Sequence, residues 1–352
     1  MSDEEEDEKA FTAEGGQTIA NRVPAYFYAK KNDVCGLTKA AFIWWSNVVC
    51  AVFHFFLALT SVIVAVSNGS GMDTPRLTVY LTNLTWQANS TDALVPKNQA
   101  TEGLYLAHMT LWFFLLSFMA HALIVLGNYK QAFALNDKAA RQVTMATGWY
   151  YKWIHECRQP LRWIEYSFSA SLMIITIAVA SGVAHVYMIA MVFALMWCTQ
   201  LFGYYTEVLS RPEPNGRKKP TQWVIRDSNP EALVLPIAGF ARLQRLAPHA
   251  LGYVPYTVVW VVLLHSFFYN VGDGGGPPGF VYVIVIGQFV IFTGFGITQL
   301  LNQAMDNGPS WYYWGEVSYL ALSLFSKGFL GLTLIANVLL YDNFDQAVAE
   351  AN

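Results

Sequence analysis

Long apolar runs, separated by polar and basic stretches, recur seven times along the chain: residues 40–66, 104–127, 163–182, 184–206, 248–269, 279–301 and 317–341. Each is long enough to cross a bilayer as a helix, which takes about 20 apolar residues. The third and fourth meet at a tight turn near Ser181-Gly182, where their boundary is least sharp. The pattern predicts an all-α membrane protein, a seven-transmembrane-helix bundle forming one body over 40–341. An acidic tail and pre-helix segment precede it, 1–39, and a short tail follows, 342–352. Two long basic loops, 128–161 and 207–247, are rich in Trp, Tyr and Pro. Within the first, Trp149-Tyr150-Tyr151-Lys152-Trp153-Ile154 reads as an interfacial piece lying against lipid headgroups. In the loop after the first run, the alternation of Leu77-Thr78-Val79-Tyr80-Leu81-Thr82 predicts a short strand or hairpin.

Charge sets the orientation. Of the 21 Lys and Arg residues, 18 fall in the N-terminal tail and in the loops after the second and fourth runs. Only Arg76 and Lys97 fall on the other side, and Lys327 lies inside a run. Basic residues near span ends mark the cytoplasmic side, so the N-terminus is expected inside and the C-terminus outside or lumenal. The three Asn-x-Ser/Thr sequons, at Asn68, Asn83 and Asn89, all lie in the loop that this rule places outside. Such sequons accept glycans only on that face, and together they suggest the plasma membrane or an endomembrane of a eukaryotic cell, or a gene of its virus.

Composition agrees with a membrane protein: 13% of residues are charged and 55% hydrophobic, against about 25% charged in soluble domains. No basic stripe suggests nucleic acid as a partner. The acidic start, MSDEEEDEK, lacks the basic n-region of a cleaved signal peptide, and residues 1–15 read as a solvated tail. Cys35, Cys50, Cys157 and Cys198 show no metal or disulfide spacing.

Two charges stand deep in the apolar runs, Glu165 in the third and Lys327 in the seventh. A lone ammonium at that depth costs roughly 2.5–3.5 kcal/mol on insertion scales, so a carboxylate partner on another helix is expected. A buried lysine can also shed its charge and attack a carbonyl, forming a Schiff base. The alternative for Glu165 is an interfacial pair with Arg162 or Arg158. Depth is the difficulty, because Glu165 lies one turn into its run and Lys327 ten residues into its own. They meet only if the third helix begins deeper or Glu165 reaches inward. Ser323 and Ser169 each stand four residues from these charges, on the same helix faces. His54, Ser117 and His121 add a polar cluster able to take up a proton.

The string Arg162-Trp163-Ile164-Glu165-Tyr166-Ser167 with Ser169, and the string Ser323-Leu324-Phe325-Ser326-Lys327, resemble helices three and seven of the heliorhodopsins. His54, Ser117 and His121 fall where that family has its intramembrane polar cluster, and Phe289-Val290-Ile291-Phe292 with Gln299 is similar more loosely. The likeness covers about residues 40–341 and includes the inverted orientation. It implies all-trans retinal bound to Lys327 as a Schiff base, Glu165 as counterion, and Ser323 and Ser169 nearby. Tyr256, Trp260, Phe289 and Phe292 are candidates for the retinal pocket, or equally for plain core. The likeness also implies a homodimer.

The position four before the lysine is Ser323, and eleven after Glu165 stands Thr176, whose hydroxyl relays a proton but stores none. One counterion without a donor carboxylate favours a light sensor acting through a downstream partner over a pump. Light-gated proton conductance stays open. So does a reading of another class, a transporter or receptor without chromophore whose Lys–Glu pair is structural.

Overall fold

The computed structural model describes residues 22–30, 33–67, 78–88, 94–137, 139–209, 238–272, 277–304 and 308–339. The sequons Asn68 and Asn89, the acidic start and most of the loop 207–247 lie outside the described residues. Eight α-helices appear among those described. They are α1 (Lys39–Ser67), α2 (Leu106–Ala132), the short α3 (Trp149–His155), α4 (Pro160–Ala180), α5 (Val186–Leu209), α6 (Ala238–Gly272), α7 (Gly279–Ala304) and α8 (Gly308–Leu334). All but α3 are long and apolar enough to cross a membrane, which makes this an integral, multi-pass membrane protein. Exposed Phe55, Phe56, Leu126 and Val254 are then lipid-facing, a placement that water would penalise.

Polar residues end helices in a sequence pattern, but three spans run past them. The third begins at Pro160 and includes Arg162; the fourth continues to Leu209 past Glu207. The seventh starts at Gly308, not at 317, and takes in Tyr312, Tyr313 and Glu316. The basic segment 128–161 is correspondingly shorter as a loop, since α2 extends to Ala132 and α3 occupies its second half.

Helices α4 and α5 join through a left-handed turn. Gly182 adopts φ +88°, and the N–H of Val183 returns to Ala178 O at 2.9 Å. This is the hydrogen-bonded stop that glycine permits without a Cβ penalty. A Cβ on Gly182 would also lie 2.1 Å from the Asn270 amide. At the same end, β1 (Thr78–Ala88) and β2 (Leu94–Tyr105) form an antiparallel hairpin pairing Thr78 with Tyr105 and Asn83 with Gln99. Thr82 N–H donates to Ala184 O at 2.8 Å, tying the hairpin to the α4–α5 turn.

The opposite end, where α1, α4, α6 and α8 begin, is closed differently. Tyr150, Tyr151 and Ile154 of α3 are fully buried there, so the segment expected against headgroups packs into protein instead. Its aromatic rings turn inward because their hydroxyls find partners, Tyr151 on Ala40 O at 3.0 Å and Tyr150 on Glu316 at 3.1 Å. Val23, Phe27 and Tyr28 join the same apolar cluster, distinct from the larger core around Phe113, Trp260 and Leu330 at mid-bundle.

Candidate functional site

Lys327 lies on α8 among the tightly packed helices of the bundle, 3% exposed. Its ammonium donates to Glu165 Oε1 at 2.8 Å and to Ser323 Oγ at 3.1 Å. Ser117 of α2 donates to the same carboxylate oxygen at 2.6 Å, and the ring of Tyr166 faces the ammonium at 5.0 Å. Three helices therefore contribute to one ion pair. Desolvating two charges is costly, and close contact with further hydrogen bonds is what offsets it.

The depth difficulty resolves because α4 starts far inside the bundle. Gln159, just before it, is 1% exposed and donates its N–H to Glu207 of α5. Helix α8 begins beyond that point, so a residue early in α4 meets one late in α8. Interfacial pairing of Glu165 is excluded by its neighbours. Arg158 pairs with Glu156 at 2.6 Å, and Arg162 is held elsewhere.

Arg162 is clamped between Glu207 of α5 and Glu316 of α8, through NH2 and NH1 respectively. Glu207 also accepts from Tyr312 at 2.7 Å, Trp163 Nε1 at 2.7 Å and the Gln159 N–H at 2.9 Å. Sequence patterning missed this group, and placed only two charges deep in the bundle where the structure buries Arg162, Glu207 and Glu316 as well. One signal was present: Glu207 and Glu316 are carboxylates at the edges of apolar runs. Gly203 lets the group assemble, since a Cβ there would lie 2.2 Å from the Trp163 ring.

His54 and His121 stack with centroids 5.5 Å apart and planes 2° from parallel. His121 Nδ1 meets Asn47 Oδ1 at 2.8 Å, whereas both nitrogens of the fully buried His54 are without a hydrogen-bond partner. Buried ring nitrogens of this kind suit a bridging water or a transferred proton.

A cavity of about 810 Å³ opens from Lys327 between α4, α5, α6 and α7. Ser323, Ser169, Tyr256 and Phe292 line it; Ser169 lies fully buried one turn past Glu165. Trp260 and Phe289 stand behind the wall, with their rings 5.1 Å apart and Trp260 also 5.9 Å from Phe292. The pattern had not singled out Met173, Met196 or Tyr253, which line it as well. Its mostly apolar walls and the amine of Lys327 among its lining fit an apolar aldehyde. No carboxylate lines it.

The family model described as Heliorhodopsin matches residues 43–225 and 239–339. No curated protein matches the chain.

The clamp on Arg162 yields a stability prediction. Arg162→Gln leaves two buried carboxylates without their cation and is expected to cost about 3–5 kcal/mol. Thermal unfolding in detergent measures it; a melting temperature equal to wild type would mean that the ions are solvated rather than buried.

Proposed function

Since the chain belongs to the heliorhodopsin family, whose members are retinal proteins, we propose that it is a light sensor with retinal attached to Lys327 through a Schiff base and Glu165 as its counterion. The observation that carries the reading is the single amine at the end of a long apolar cavity, 2.8 Å from a buried carboxylate. Bound retinal supplies visible absorption and a light-driven isomerisation. The protein's residues supply everything that couples to it. Glu165 presents negative charge at the lysine nitrogen, and Ser117 fixes the carboxylate's orientation. Ser323 offers a second acceptor to the same nitrogen. The stacked pair His54 and His121 is the nearest neutral group suited to take a proton.

Signalling is favoured over pumping by what surrounds Lys327. Thr176 is buried and donates its hydroxyl to Leu172 O at 3.0 Å, and it stands where a donor carboxylate would be needed. Without such a donor a proton returns slowly, which suits a long-lived signalling state. A partner protein would read that state, and the family likeness extends the proposal to an all-trans isomer and a homodimer. The N-terminus is assigned to the cytoplasmic side, supported by the 18 basic residues on that side. Glycosylation at Asn83 in a eukaryotic host, removed by an endoglycosidase, is the expected sign; modification confined to the opposite face would reverse the assignment.

Reconstitution with retinal tests the core of the reading. A visible band is expected in wild type and none in Lys327→Ala; Glu165→Gln should move the band strongly to longer wavelength or abolish its protonated form. An unshifted spectrum in Glu165→Gln would remove that residue as counterion. In voltage-clamped cells no steady photocurrent is expected from wild type. A current that Lys327→Ala eliminates would replace the sensor with a light-gated conductance.

A further inference from the structure

Residues 22–30 lie outside the family match and are folded onto the bundle end where α1 and α8 begin. Val23 donates its N–H to Arg141 O at 2.9 Å, and Arg22 bridges Gln142. Phe27 is fully buried, edge-on to Tyr151 at 5.4 Å and to Tyr313 at 6.1 Å. Tyr28 donates its hydroxyl to Gln131 O and lies under the Arg141 guanidinium at 4.3 Å. The segment is thus held by backbone pairing and by aromatic burial.

The apolar cluster that it joins borders a polar cavity. Ile124 and Leu320, which share an apolar cluster with Val23, Phe27 and Tyr28, also wall a cavity of about 340 Å³. His121, Glu165, Arg162 and Glu316 line that cavity, so it joins the lysine site to the arginine clamp. Side chains bridge the same interval. Beyond the His121–Asn47 contact, Asn47 Nδ2 donates to Tyr150 OH at 3.3 Å, and Tyr150 OH donates to Glu316 Oε1 at 3.1 Å. An amide does not relay protons, but water bridging the polar walls of this cavity would. The clamp sets one guanidinium against two carboxylates, Glu207 and Glu316.

We propose that residues 22–30 are an intramolecular plug, sealing the end of a buried proton path that runs from Glu165 and His121 to Glu316. The source of the proton rests on the retinal reading above; the seal does not. One proton moves and no electrons do: an N–H bond at the lysine nitrogen breaks as an O–H or N–H bond forms at Glu165 or His121, and later at Glu316. With Phe27 and Tyr28 seated, the proton meets no bulk water at this end and returns by the way it came. The plug makes the path a store instead of a channel.

Full-length Phe27→Asp, and the gentler Phe27→Ala, test this in lipid vesicles with retinal added. Cys157 is 2% exposed within the same apolar cluster, whereas Cys35 is exposed. In wild type a water-soluble maleimide should label Cys157 roughly tenfold more slowly than Cys35 or less, and the variants should narrow that gap. A pH-sensitive dye in the bulk should report a flash-induced proton on this face from the variants and none from wild type. Unchanged Cys157 labelling in both variants overturns the plug. Faster labelling without a bulk proton, or a bulk proton from wild type, overturns its role as a proton seal. Absence of a visible band in wild type defeats the retinal reading, while the labelling comparison still decides whether the segment closes this end. If Phe27→Asp aggregates, Phe27→Ala is judged by the same readouts.

Discussion

Arg162 sits between Glu207 and Glu316, and much of the interior follows from that clamp. A guanidinium three residues before Glu165 on one helix is its natural partner, and would draw it toward the bundle end. Two other carboxylates hold Arg162 there instead, and Tyr319 stacks beneath it at 3.9 Å. Glu165 is left to face Lys327. Its carboxylate then accepts from Ser117 and Lys327, a bond set that stabilises an ionised pair away from water. Remove the clamp and the same helices would bury three charges with no defined pairing. The lysine site is therefore built one layer below a more strongly ionic layer.

The two layers have different surroundings. Around Lys327 the walls are apolar and aromatic, with a large cavity toward α5, α6 and α7. Around Arg162 a smaller space of about 340 Å³ is enclosed by polar groups on one side and by the apolar cluster of α3 and the N-terminal segment on the other. This asymmetry gives one bundle a mostly apolar pocket beside Lys327 and a polar one beside Arg162. Direction along the bundle then matters: hydrogen-bonding groups continue from His121 toward Glu316, while the other end is closed by the hairpin and the Gly182 turn.

The errors of patterning fall at informative places. The apolar runs began at 163 just after Arg162, ended at 206 just before Glu207, and began at 317 just after Glu316. Excluding charges from spans is sound for residues that face lipid. Each exclusion here removed a member of one buried ion network, because pairing across helices cancels the cost that the rule assumes. The aromatic run Trp149 to Ile154 misled for a related reason. Its rings have the amphipathic character of an interface, but the hydroxyls of Tyr150 and Tyr151 find protein partners and the rings are covered.

Seven spans and the two deep charges of opposite sign were legible from sequence, since hydropathy and charge cost act locally along a helix and leave a period in the chain. So was the set of polar residues, Ser117, His121, His54 and Ser323, from spacing and from likeness to a family. Which carboxylates hold Arg162 was not. Three carboxylates and two cations on three helices allow several pairings of similar local merit, and helix depth chooses among them. The partners of Arg162, Glu207 and Glu316, stand 45 and 154 residues away in the chain, contacts that no period records. The tertiary structure alone decided that Arg162 belongs to Glu207 and Glu316, which leaves Glu165 to the Lys327 pairing that the family likeness implies.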